Sequence, residues 1–284
     1  MNQAEIQAPE TAERARAESC DADRMVECGS IFSISDRRIV NGVSVEVTSR
    51  QAAVAHILSA MRARSCEVFA FCNMHGCNLA RRSPAFASAL GRATVFNDGI
   101  GMDIASRILF GRPFPENING TDLTPELLAG LERPTAVFLL GSPPGVAERA
   151  ARALESRFPQ VRVVGCQHGF FPPSEDGEMA DRVRRTGAEL VLAGMGNPRQ
   201  ELWAVEMAPR TGAVVLCIGA FLDFASGRVS RAPRLVRALR SEWLYRLALE
   251  PRRLASRYFG GVGPFLWAVL RERLRRPALP GTSR

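Results

Sequence analysis

Six continuous apolar segments separated by helical ones constrain the fold of this 284-residue chain more than any other feature. In chain order the apolar segments are EVFAFCN, ATVF, TAVFLLG, VRVVGC, LVLAGMG and AVVLCIGAF. Segments with helical periodicity, such as PGVAERAARALESRF and NPRQELWAVEMA, alternate with them. Strands that are apolar on both faces and alternate with helices are typical of a parallel sheet covered on both sides. We therefore predict an α/β protein with a Rossmann-like, mostly parallel sheet and helices on both faces.

The loops after these segments predict where a ligand binds, because α/β sheets bind ligands beyond the carboxyl ends of their strands. The loops are CNMHG, NDGIG, GSPPG, GCQHGFF, GMGNPRQE and GAFLDFASG. NDGIG departs from the dinucleotide fingerprint, because its third glycine position is Ile104. A Walker-type loop is excluded, because the chain contains no lysine. These loops indicate a nucleotide- or phosphate-binding protein.

Positive charge is concentrated at the C-terminal end of the chain. The net charge is +8, and the residues from Arg228 onward hold fourteen arginines against three glutamates. Such a stretch points to a partner that carries phosphate: nucleic acid, anionic lipid or a phosphorylated substrate. We expect a disordered leader over residues 1–30, an α/β domain over 31–229 and an arginine-rich helical appendage over 230–284. The appendage reads as two basic helices broken near Pro251.

The cysteines and histidines do not predict a metal site. The chain has seven cysteines, no C-x-x-C pair and three histidines that lie far apart in sequence. An odd cysteine number without such a pair is typical of reduced thiols in a cytosolic protein.

Three loops hold candidate functional residues, each with an alternative. Asp98, in NDGIG, either caps the following helix or acts as a general base beside an anion-binding turn. The GSPPG loop either takes a diphosphate or is a plain turn between strand and helix. Gln200 and Glu201 begin a helix, where they either face a ligand or cap backbone amides.

Five blocks in one order make the chain recognisable. They are NDGIGMDIASRIL, NGTDLTPELL, FLLGSPPGVAERAARALESRFPQVRVVGCQHGFF, GMGNPRQELW and GAFLDFASGRVSRAPRLVRALRSEWLYRLALEPRRLASRY. The sequence resembles the WecG/TagA/CpsF family of bacterial glycosyltransferases. The resemblance covers roughly residues 66–258.

The resemblance implies an inverting transfer without a metal or other cofactor. The donor would be a UDP-sugar of the N-acetylmannosamine or glucose type, and the acceptor a polyprenyl-diphosphate-linked sugar in cell-surface or exopolysaccharide synthesis. Asp98 would be the catalytic base. Further residues would bind substrate: Asn73, Gly99, Gly101, Asp122, Gln200, Arg246, Arg253 and Arg257. The arginine-rich tail would help close the site and place the enzyme on the anionic inner face of the cell membrane; a homo-oligomer is compatible with this picture.

Two positions depart from the family pattern near the donor. Phe71 stands where a threonine is expected, two residues before Asn73, and Asn117 stands where an arginine is frequent. Donor identity therefore stays open. Two other functions are also open: a nucleic-acid-binding protein that uses the basic tail, and an NAD-type oxidoreductase. The tail lacks interleaved aromatic residues, and the fingerprint lacks its acidic ribose-binding residue, so we expect no nucleic-acid partner and favour the transferase.

Overall fold

The structure is a computed structural model that describes residues 36–229 and 251–276, with the side chains of 251–259 excluded. The predicted leader and the first part of the predicted appendage lie outside the described residues.

A small hairpin and a helix precede the main sheet. Strands β1 (Arg37–Val40) and β2 (Val43–Glu46) pair antiparallel, and helix α1 (Arg50–Arg62) follows them. The hairpin turns at Asn41 and Gly42, which both have positive φ angles. Residues with positive φ at both central positions fit the right-handed twist of a two-residue hairpin.

The main sheet has six strands, and all neighbouring pairs are parallel. The strands are β3 (Val68–Cys72), β4 (Thr94–Asn97), β5 (Thr135–Gly141), β6 (Val161–Gln167), β7 (Leu190–Gly194) and β8 (Val214–Cys217). Their order across the sheet is β4, β3, β8, β7, β5, β6. The predicted fold class is confirmed, and every predicted apolar segment overlaps one of these strands, with β4 and β6 each extending one residue beyond it.

Helices connect the strands and cover both faces of the sheet. They are α2 (Met74–Arg82), α3 (Pro84–Gly91), α4 (Ile100–Phe110), α5 (Gly120–Ala129), α6 (Val146–Arg157), α7 (Asp176–Arg185), α8 (Arg199–Thr211), α9 (Phe221–Ala225) and α10 (Pro251–Arg275). Successive strand residues point to opposite faces. In β3, Ala70 therefore joins a core with α2, α4 and α8, whereas Phe69 joins a second core with α1, α5 and α6.

Helix α10 has one face in the core and one face in solvent. Phe265 and Val269 are buried in the first core, and the Asn78 Nδ2 of α2 donates to the Gly261 carbonyl oxygen over 2.8 Å. On the other face, Trp267 is 66% exposed and Leu274 is 87% exposed. Within the described residues, no helix is long and apolar enough to cross a membrane.

Candidate functional site

Asp98 and Asn73 meet at the carboxyl ends of β4 and β3. These strands are neighbours, with Cys72 opposite Asn97, so the residues that follow them are adjacent. The Asp98 backbone N–H donates to the Cys72 carbonyl oxygen over 2.9 Å, and the Asn73 Nδ2 donates to the Asp98 Oδ2 over 3.2 Å. The Asn73 Oδ1 caps α2 by accepting the Gly76 N–H. A single asparagine therefore holds both the Asp98 carboxylate and the first turn of α2.

The turn after Asp98 explains both of its glycines. Helix α4 begins after Gly99, which is its N-cap residue, so the alternative that Asp98 is the N-cap is wrong. Gly99 has a φ angle of 88°, which L side chains rarely adopt. A Cβ atom on Gly101 would lie 3.2 Å from the Met74 Cβ, so this glycine lets α4 approach α2. Because Gly99 has no side chain to cap α4, the helix N-terminus beside Asp98 suits an anion.

Asn117, which lies just before α5, stabilises the same turn. Its Oδ1 accepts the Gly99 backbone N–H over 2.5 Å. The residue that departs from the family pattern therefore fixes the backbone next to Asp98. This role depends on a contact between residues eighteen positions apart, so no local pattern could have indicated it.

Asp122 lies in the first turn of α5 and is held by the N-cap residue, Asn119. The Asn119 Nδ2 donates to the Asp122 Oδ2, and the Asn119 Oδ1 accepts the Asp122 N–H, both over 2.8 Å. Phe71 packs beside this turn: a Cβ atom on Gly120 would lie 3.0 Å from the Phe71 Cε2. The aromatic ring at the threonine position thus fits against a glycine.

Gln200 is buried and caps backbone amides, which was the second of its two predicted alternatives. Its Oε1 accepts the Gly196 N–H over 3.2 Å and the Gly219 N–H over 3.3 Å. Its Nε2 donates to the Glu201 Oε1 over 2.8 Å. Gln200 therefore links the loop after β7 to the loop after β8.

Glu201 is fully buried behind this link. Its Oε1 accepts from the Asn197 Nδ2 over 2.6 Å as well as from Gln200. Burial raises the pKa of Glu201 to about 7, and the hydrogen bond from Gln200 only partly offsets that rise. The Oε2 has no hydrogen-bond partner in the described part of the chain. The two predicted alternatives for Glu201 were a ligand contact and the capping of backbone amides, whereas its Oε1 accepts from two side-chain amides.

Glycines bring the ends of three central strands into backbone contact. A Cβ atom on Gly141 would clash with the Gly194 carbonyl carbon, and one on Gly194 would lie 2.7 Å from the Gly219 carbonyl oxygen. The GSPPG loop continues from Gly141 into α6. Pro143 and Pro144 have no N–H to offer an anion. The two alternatives for this loop, a diphosphate site and a plain turn, stay predictions.

The sequence model of the glycosyl transferase WecG/TagA/CpsF family matches residues 38–279, which is most of the chain. The chain belongs to this family. It is therefore a glycosyltransferase of cell-surface polysaccharide synthesis.

The remaining predicted site residues of this WecG/TagA/CpsF family member are on its C-terminal side. Arg246 lies outside the described residues. Arg253 and Arg257 belong to α10, but the description does not extend to their side chains. Among residues 36–229 and 251–276, no cluster of three histidine, cysteine, aspartate or glutamate side chains could hold a metal ion.

Proposed function

We propose that this glycosyltransferase transfers a sugar, with inversion, from a UDP-sugar to a sugar carried on polyprenyl diphosphate. The donor would be of the N-acetylmannosamine or glucose type. One observation carries the proposal: the Asp98 carboxylate stands at the ligand-binding end of a parallel sheet, oriented by the Asn73 amide over 3.2 Å. It stands next to a helix N-terminus that suits a diphosphate.

In this proposal Asp98 is the general base. An acceptor hydroxyl attacks the anomeric carbon, and its oxygen forms the new bond while its proton passes to the Asp98 carboxylate. The bond from the anomeric carbon to the β-phosphate oxygen breaks, and UDP leaves with the electron pair. Attack from the face opposite UDP inverts the configuration. Asn73 donates to one carboxylate oxygen and so orients the other toward the acceptor.

The leaving diphosphate gathers negative charge, which helix N-termini and arginines can stabilise. We assign this role to the first turn of α4 at Gly101, since the Gly99 N–H is bonded to Asn117, together with three arginines of the tail: Arg246, Arg253 and Arg257. Asp122 and Gln200 complete the substrate-binding set, Gln200 by holding the loops that line the site.

We further propose that the enzyme is cytoplasmic and docks on the anionic inner face of the membrane. The exposed face of α10 carries Trp267, Leu270 and Leu274, and its last turns are rich in arginine. An apolar stripe flanked by cations is the pattern of a helix that lies in the membrane interface.

The direct test of the substrate class is product identification. Full-length enzyme is incubated with a panel of UDP-sugars and a polyprenyl-diphosphate sugar, and the lipid product is analysed by mass spectrometry. We expect the mass of one hexose or one N-acetylhexosamine to be added. UDP should also raise the melting temperature, because a ligand that binds the folded state stabilises it. Stabilisation by NAD or duplex DNA instead of UDP would contradict the proposal and favour the oxidoreductase or nucleic-acid alternative.

A further inference from the structure

Two side-chain amides share a single carboxylate oxygen beneath the loops that follow β7 and β8. The Asn197 Nδ2 and the Gln200 Nε2 both donate to the Glu201 Oε1, over 2.6 Å and 2.8 Å. Gln200 and Glu201 are 3% and 0% exposed. The Glu201 Oε1 accepts both amides and an amide nitrogen can only donate, so Glu201 determines the position of the Gln200 nitrogen.

The orientation of the Gln200 amide decides whether the two loops are joined. With its nitrogen on Glu201, its oxygen faces the backbone N–H groups of Gly196 and Gly219, which it accepts. A reversed amide would place its NH₂ against those two donors and its oxygen against the carboxylate. Each contact would then be repulsive, and the two part-buried N–H groups would lose their acceptor.

We propose that Glu201 is a positioning residue that acts through Gln200 on the loops of the donor site. Glu201 fixes the amide, the amide joins the two glycine loops, and the joined loops keep the shape that receives the nucleotide. The inference rests on the proposed function only in its last step, the use of these loops by the donor. The first two steps concern the free enzyme.

The residue type supports a functional role. Burying a carboxyl group costs folding free energy, and an apolar side chain of similar volume commonly stabilises a core position at least as well. Stability alone therefore does not account for Glu201. An acceptor that two amides can share does account for it.

The test compares Glu201→Leu, which removes the acceptor, with Glu201→Gln, which keeps a carbonyl oxygen at that position. Glu206→Leu on the exposed side of the same helix is the matched control. Amide hydrogen exchange of Gly196 and Gly219 is followed by NMR in full-length protein without substrate. Loss of a hydrogen bond of ordinary strength corresponds to exchange about tenfold faster, which we expect at both glycines in the leucine variant. The glutamine variant and the control should stay close to wild type.

Initial-rate kinetics on the same proteins connect the loops to the donor. We expect the KM for the UDP-sugar to rise about tenfold in Glu201→Leu while kcat changes little, and Glu201→Gln to restore the KM. Circular dichroism checks folding, and Glu201→Met replaces the leucine variant if that variant does not fold. Unchanged exchange at both glycines in a folded acceptor-free variant would overturn the positioning role. Faster exchange with an unchanged KM would support the role of Glu201 in positioning Gln200. It would refute the assignment of these loops to the donor site.

Discussion

Burial of Glu201 predicts a pH-dependent stability that Glu201→Gln should remove. The pKa of the folded state lies at about 7, above the ordinary value of 4.5. The folded chain therefore holds this proton more tightly than the unfolded chain, so stability falls as pH rises above about 4.5 and levels off above pH 7. At about 1.4 kcal/mol per pKa unit, the full loss is roughly 3 kcal/mol of unfolding free energy. Below the unfolded-state pKa the group is neutral in both states and contributes no loss.

The assay is denaturant unfolding at pH 5 and pH 8 for wild type and Glu201→Gln. Because most of the titration falls between these values, we expect wild type to lose about 2.5 kcal/mol more than the variant over this interval. Comparing the two pH dependences cancels the contributions of all other groups and any fixed effect of the new amide. Glu206→Gln, at an exposed position, should keep the wild-type pH dependence. If Glu201→Gln also keeps the wild-type pH dependence, the pKa of Glu201 is not raised by folding. That result would contradict the burial of Glu201 in the structure.

Three further predictions concern the loops, the exposed face of α10 and the strand ends. Asn73→Ala and Gln200→Ala should each raise the donor KM about tenfold in initial-rate assays without unfolding the protein, and a normal KM in both would contradict their assignment to the site. Replacing Trp267 and Leu274 together by serine should weaken flotation with anionic vesicles at least about tenfold. Each substitution removes an apolar side chain whose burial in the vesicle surface would contribute about 1.5 kcal/mol or more. Unchanged flotation would contradict a docking role for this face. Gly194→Ala should lower the unfolding free energy by about 2 kcal/mol, since its Cβ would lie 2.7 Å from a backbone oxygen. A variant that is as stable as wild type in denaturant unfolding would show that the strand ends are not packed so closely.

The sheet could be predicted from the sequence because its strands are continuous apolar runs. TAVFLLG coincides with β5 residue for residue, and β7 lies inside LVLAGMG. The β1–β2 hairpin was not predicted, because its alternating apolar residues are few and residues 31–65 showed only weak amphipathic character. The Asn41–Gly42 pair is a hairpin signal that could have located it.

The site could be predicted in part. Asn73 and Asp98 follow neighbouring strands, so their proximity is a consequence of the parallel sheet that the sequence already indicates. The direction of the Gln200 side chain could not be predicted, because its partner Gly219 is nineteen residues away. The burial of Glu201 could not be predicted for a similar reason. An acidic residue in the first turn of a helix is common and is normally explained by the helix dipole, whereas here tertiary packing buries it.

The turnover of Asp98→Asn tests the central claim most directly. The substitution keeps the size of the side chain but removes the group that accepts the proton. Single-turnover measurements with saturating UDP-sugar and lipid acceptor should show a rate about 10²–10⁴-fold lower than wild type, the usual contribution of a general base. Calorimetry should show unchanged UDP binding, which would confine the defect to the chemical step. A variant that retains near wild-type turnover when chemistry is rate-limiting would contradict the assignment of Asp98 as the base.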